Sequence, residues 1–183
     1  MSIARWINGS NSNRADFEAI IAYVTEDFKT DSGKYIGTRG CSKKRLARDM
    51  NALKKSHHKT HGKQYEHVVV SLTPDTARLT DEEYMEIGRQ IADYYMEHQT
   101  VYALHKDTNI RHLHFVLNSV SYKTGKKFSQ GPQDLNRFKT ECNRILNTYK
   151  LDLIRTSLSD LRDNSKHSFE DGFDFLEIND DFT

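Results

Sequence analysis

The sequence predicts an α+β fold: a mainly antiparallel sheet with helices packed on one face, and an open face carrying a three-histidine metal site. Three observations predict it. Strand-like and helix-like stretches alternate in the order strand, helix, basic segment, strand, helix, strand, strand, helix. Two apolar runs, Val101 to His105 and His112 to Asn118, are joined by only six residues, so an antiparallel return is the shortest connection. Along the second run the pattern alternates, His112 and His114 against Leu113, Phe115 and Leu117, which gives a polar face over a core face. Helices on a single face of such a sheet leave the histidine face exposed.

The elements follow in order. Ile3 to Ile7 reads as a first strand, and Asn8 to Asn13 as a loop that supplies helix caps. Phe17, Ile20, Ile21, Val24 and Phe28 then fall at the spacing of one buried helical stripe. Tyr23 lies about 100° off that stripe, so it is not needed in the core and can face a cleft. Lys34 to Cys41 is a glycine-punctuated loop or short strand, and a basic helix runs from about Ser42 to Lys55 with Leu46, Met50 and Leu53 inward. The following stretch holds His57, His58 and His61, which read as solvated or phosphate-contacting side chains.

His67 to Leu72 is the plainest buried strand, ended by Thr73-Pro74. Thr80-Asp81-Glu82-Glu83 opens a helix with a capping box, and Tyr84, Ile87, Ile91 and Tyr94 carry its inward face to about His98. After the histidine hairpin, Thr124-Gly125 turns the chain, and Pro132 starts a helix with Leu135, Phe138, Cys142, Ile145, Leu146 and Tyr149 inward. The domain is expected to span residues 1–151. Residues 152–183 form an acidic extension, either packed on the domain or solvating it.

Composition narrows the function classes. With 183 residues the chain is long enough for a substantial core. No stretch is long and apolar enough for membrane insertion, and the N-terminus lacks the apolar block of a secretory signal. Cys41 and Cys142 stand far apart, which argues against a disulfide framework or a cysteine-rich zinc site. Net charge is +1, yet from Lys29 to His67 there are 11 Lys or Arg against Asp31, Asp49 and Glu66. That segment reads as a contact for a nucleic-acid backbone, with Arg39, Lys43, Lys44, Lys54 and Lys55 as candidates.

The chemistry centres on H-x-D-x4-H-x-H. Folding the hairpin back sets His105 opposite His112, and His105, His112 and His114 converge as three imidazoles. Such a set suits zinc, manganese, cobalt or nickel better than magnesium, and three protein ligands leave coordination positions for a substrate oxygen. A single strand histidine is commonly a surface or hydrogen-bonded core residue; a third at loop distance with an acid between distinguishes this set. Asp107 is either a general base or the partner that fixes a histidine tautomer, and Asn118, on the ligands' face, either supports them or is a polar edge residue. A metal that polarises a phosphate, a cationic segment and an off-core tyrosine together point to phosphodiester chemistry through a phosphotyrosine.

On these residues the chain resembles the relaxases, the DNA nickases of conjugative transfer in the His-hydrophobe-His endonuclease superfamily, particularly the MOBP class. The resemblance covers about residues 10–150. Ala19 to Thr25 looks like the first motif, whose tyrosine is the nucleophile, with Gly40-Cys41 a punctuation after it. His67-Val68-Val69-Val70-Ser71 looks like the second, whose serine contacts DNA near the nick, and His105 to Asn118 matches the metal-binding third. Lys106 departs from the class, which often has another histidine there, and relaxases usually continue into further segments.

The resemblance implies a bacterial cytoplasmic enzyme dependent on a divalent metal (Mn, Mg or Zn). It would nick single-stranded DNA at an origin of transfer through Tyr23, retain a 5′-phosphotyrosine and rejoin strands, alongside auxiliary relaxosome and secretion-coupling proteins. Two alternatives stay open: a replication initiator or transposase-like nickase using Tyr149, and a three-histidine phosphodiesterase using water.

Overall fold

In the computed structural model, residues 2–7, 14–72, 79–108, 110–129, 131 and 133–156 are described. Strands β1 (Ile3–Trp6), β2 (Ile36–Arg39), β3 (Tyr65–Ser71), β4 (His98–His105) and β5 (His112–Ser121) form one sheet in the order β1-β3-β5-β4-β2. Every neighbouring pair is antiparallel, and for β4 and β5 the short connecting loop requires it. The stretch Lys34 to Cys41, read as a loop or short strand, contributes β2 as an edge strand. Gly37 is needed there because Tyr102 lies over it, and a Cβ would come within 2.1 Å of that ring.

One face of the sheet carries Val68, Val70, Tyr102, Leu104, Leu113, Phe115 and Leu117. Helices α4 (Asp81–Asp93) and α5 (Asp134–Thr148) cover it through Tyr84, Ile87, Ile91, Phe138, Cys142, Ile145 and Leu146. The capping box of α4 forms as its sequence predicts: Glu83 N donates to Thr80 Oγ1 (3.2 Å), and Thr80 N donates to Glu83 Oε2 (2.7 Å). Tyr94 departs from the expected inward stripe and is 37% exposed, because the helix ends before it. Leu151 and Ile154 also pack into this cluster, with Asn143 hydrogen-bonded to both N and O of Ile154.

The α+β class and the antiparallel sheet agree with the sequence, but the second face is not open across its width. Helices α1 (Arg14–Val24) and α3 (Leu46–Ser56) lie on it, packing Phe17, Ile20, Ile21, Val24, Leu46 and Met50 against Tyr65, Val101 and Val116. The physical reason is local. Val116 interrupts the polar row His112, His114, Asn118, and with Val101 opposite it offers an apolar patch that the α1 stripe can bury. The stripe itself stops at Val24: Glu26 is extended, a short helix α2 (Asp27–Thr30) follows, and Phe28 is 82% exposed rather than inward.

Among the described residues no helix is long and apolar enough to cross a membrane. The expected capping loop Asn8 to Asn13, the strand terminator Thr73-Pro74, Pro132, and the acidic stretch containing Phe169, Phe173, Phe175, Leu176 and Ile178 lie outside the described residues.

Candidate active site

The end of the second face that α3 does not reach holds the histidines. His105 is paired in register with His112, and Ala103 with His114, as the hairpin predicts. The three rings gather with centroid separations of 4.1 Å (His105 to His114), 4.8 Å (His112 to His114) and 5.3 Å (His105 to His112). Each offers one nitrogen within 4.8 Å of the others.

Their tautomers follow from what the outer nitrogens meet. His105 Nε2 lies 3.1 Å from Val24 O and His112 Nδ1 lies 3.0 Å from Ile110 O. A carbonyl only accepts, so both nitrogens carry the proton and the lone pairs fall on His105 Nδ1 and His112 Nε2. The third partner is another histidine. His67 Nε2 stands 2.8 Å from His114 Nδ1 with the rings stacked, and donation from His114 Nδ1 puts the His114 lone pair on Nε2.

His105 Nδ1 and His114 Nε2 are buried and have no hydrogen-bond partner among the described residues. Leaving such a group unmade costs about 1–3 kcal/mol each, which a metal ion accepting both lone pairs would relieve. Burial also keeps the imidazoles neutral, the form that ligates. It pushes His105 down to about 4, against the hydrogen bond to Val24 and with the neighbouring His112 adding to the fall. It holds His114 well below its ordinary value, reinforced by His105 and His67, and brings His67 to about 3. The donor set therefore fits a divalent metal.

Tyr23 closes the site. Its half-buried ring lies 5.7 Å from the rings of both His105 and His114. The same end of α1 supplies Val24 O to His105, so the tyrosine and the ligand cluster are tied through one turn of helix. Lys29 Nζ stands over the Tyr23 ring, 3.7 Å from its centroid.

A family model for relaxases, described as the MobA/VirD2-like nuclease domain, matches residues 23–151, most of the chain and all of this site except its flanking helix. The chain belongs to the relaxase family. It is 28% identical over 103 residues to "Protein rlx" of Staphylococcus aureus, a match covering 56% of this chain and 31% of that protein. The chain therefore matches about a third of the length of that curated relative. Two solved structures share the fold, each at 11% identity. One is the MobM relaxase domain (MOBV; Mob_Pre) bound to 26-nucleotide pMV158 oriT DNA, with TM-score 0.61 over 93% of this chain and 96% of that one. The other is titled "Molecular Basis of Vancomycin Resistance Transfer in Staphylococcus aureus", with TM-score 0.55 over 85% and 98%.

Within this relaxase domain the remaining sequence candidates separate. Ser71 lies opposite His112 in register, at the site end of β3. Lys43, Lys44 and Lys55 are exposed. Lys54 is not a surface contact: it is 1% exposed, its Nζ donates to Gln64 O (3.3 Å) and sits 3.4 Å from the Phe17 ring centroid, because α3 turns that side inward. Arg39 is drawn to the other side of the sheet, 3.6 Å from Asp93 of α4. Asn118 does not reach the ligands; the strand rise puts it roughly 13 Å beyond His114, hydrogen-bonded to Met50 O and Gln99 Oε1.

Asp107 is exposed beside the cluster and acts on His105 and His112 through its charge. The tautomers it was expected to fix are set instead by Val24, Ile110 and His67, which the closed hairpin places nearer. Glu66 faces the opposite side of β3 and pairs with Lys63 at 2.6 Å. Tyr149 packs against the α4 and α5 cluster and accepts from Gln90 (3.2 Å), across the sheet from the histidines.

Sequence reasoning missed His67 and Lys29. Period-two alternation puts His67 on the face of Ser71, but its role depends on β3 pairing with β5, a long-range contact that no local pattern announces.

Proposed function

We propose that this domain is a DNA strand transferase that nicks one strand of single-stranded DNA at an origin of transfer through Tyr23. The Tyr23 hydroxyl oxygen attacks the scissile phosphorus; the new O–P bond replaces the bond to the 3′ oxygen, which leaves as a hydroxyl after taking up a proton. The 5′ end stays on the protein as a phosphotyrosine, and the reverse attack by a 3′ hydroxyl rejoins the strand. The observation that carries the reading is Tyr23 set against the buried rings of His105 and His114, whose Nδ1 and Nε2 have no hydrogen-bond partner among the described residues.

His105, His112 and His114 would hold a divalent metal, which when bound polarises the scissile phosphate as a Lewis acid. An all-nitrogen donor set favours manganese or zinc over magnesium. Asp107, exposed beside the cluster, would be the general base that accepts the tyrosine proton. Ser71 lines the site, and Lys43, Lys44 and Lys55 supply backbone contacts. Residues 1–151 are the nuclease domain in this reading. It acts in the bacterial cytoplasm, with auxiliary relaxosome and secretion-coupling proteins as the family implies.

The test incubates the protein with single-stranded oligonucleotides from its own element, with manganese or with chelator. A covalent protein–DNA species should form only with metal and should be absent in Tyr23→Phe. Multiple-turnover cleavage without an adduct would instead show a metal phosphodiesterase using water.

A further inference from the structure

The Tyr23 and histidine site carries a cation that the chemistry above does not use. Lys29 projects from α2 with its side chain only 15% exposed, and its ammonium lies over the Tyr23 ring. Its place is fixed by backbone on two sides. Lys29 O accepts from Lys106 N (3.2 Å), the residue after His105, and Lys29 N donates to Glu26 O (3.1 Å). The next residue, Thr30, is fully buried and also bonds Glu26 O.

The carboxylate against this ammonium is Glu26, 3.1 Å away and half exposed. Beyond it, the Tyr23 ring under this ammonium also faces the rings of His105 and His114. A divalent metal bound by those imidazoles would repel this ammonium until an anion arrived between them. The anion this site is shaped for is a phosphodiester, and Tyr23 marks where its phosphorus must come.

We infer that Lys29 is a further catalytic residue: its ammonium takes a non-bridging oxygen of the scissile phosphate and stabilises the charge that gathers there. It does so as the Tyr23 O–P bond forms and the bond to the 3′ oxygen breaks. The inference rests on Tyr23 as nucleophile. Removing one preorganised donor of this kind lowers a rate by roughly 10²–10³-fold. Lys29→Met and Lys29→Gln should therefore slow single-turnover adduct formation by about that factor on a saturating oligonucleotide with manganese. Affinity for the same oligonucleotide, measured in the Tyr23→Phe background, should change less than about threefold, and Lys29→Arg should recover most of the rate.

A merely structural prop for the Tyr23 ring would also slow the reaction, so the deciding measurement is coupling to the phosphate. Replacing each non-bridging oxygen in turn by methyl should slow the wild-type protein strongly for one diastereomer. That penalty should largely vanish in Lys29→Met. An unchanged penalty, or an adduct rate within about threefold of wild type, overturns the role of Lys29. Should Lys29→Met fail to fold, the Lys29→Gln and Lys29→Arg pair carries the same comparison. An adduct that persists in Tyr23→Phe would overturn the nucleophile instead.

Discussion

The two ends of the histidine-bearing sheet face are equally buried and differently satisfied. At one end Asn118 is fully buried, donates to Met50 O and Gln99 Oε1 (both 2.9 Å) and accepts from Val120 N (3.4 Å). At the other, His105 and His114 are equally buried, yet Nδ1 of one and Nε2 of the other meet no described protein group. Helices α1 and α3 close the first end, whereas the second is bordered by the last turn of α1 and by Lys29 of α2. Burial alone does not distinguish a structural polar group from a functional one. What distinguishes them is whether the protein completes the hydrogen bonding itself or leaves it for a ligand.

The largest effect should come from substitution at the unsatisfied end. His114→Ala should abolish adduct formation and weaken manganese or zinc binding below detection in a calorimetric titration. The metal-free protein should also lose about 1–3 kcal/mol, since the variant strands His67 Nε2 and empties the space of a buried ring. Asn118→Ala should cost stability alone and spare the metal. It strands Met50 O and Gln99 Oε1 in the interior and should cost about 2–3 kcal/mol in denaturant unfolding, with metal affinity nearly unchanged. If both variants lost metal and stability alike, the two ends would be one structural unit and the contrast would fail.

His67→Ala should fall between them. Without its partner at Nδ1 the His114 ring loses its fixed tautomer, and metal affinity should drop about 10–100-fold, with partial recovery in His67→Gln. A metal affinity unchanged in His67→Ala would mean that packing alone orients His114.

The sequence made one of these ends legible and not the other. Local rules sufficed for the histidine hairpin, because alternation and a six-residue loop determine register without help from the rest of the chain. They also placed Tyr23 off its helical stripe, and the structure sets it against His105 and His114. What local rules missed depends on which strands are neighbours and which helix lands on which face. His67 gains its role only from β3 beside β5, and Lys54, read as a surface cation, is turned inward once α3 docks on Tyr65 and Val116. Arg39 was misplaced for the same reason: in a stretch read as loop or short strand its face was not fixed, and as part of β2 it points to α4.

Lys54 tests the comparison at its weakest point, being a buried charge at the covered end with one hydrogen bond and an aromatic face for partners. Burial, with Lys127 nearby and Glu18 opposing, pushes its ammonium down to about 7. An unfolded lysine titrates near about 10.4, so between these values the unfolded chain binds more protons and stability rises with pH. Below about pH 7 both states are protonated and the folded one carries the full burden of the buried charge. Lys54→Met should therefore stabilise the protein at about pH 6, on the order of 2 kcal/mol, with the gain fading toward about pH 10 in urea unfolding. The same variant should leave the salt dependence of DNA binding unchanged, whereas Lys44→Ala or Lys55→Ala should each reduce its slope by about 1. A salt slope that falls in Lys54→Met would mean that α3 lifts from the sheet when DNA binds, and that the covered end opens as part of recognition.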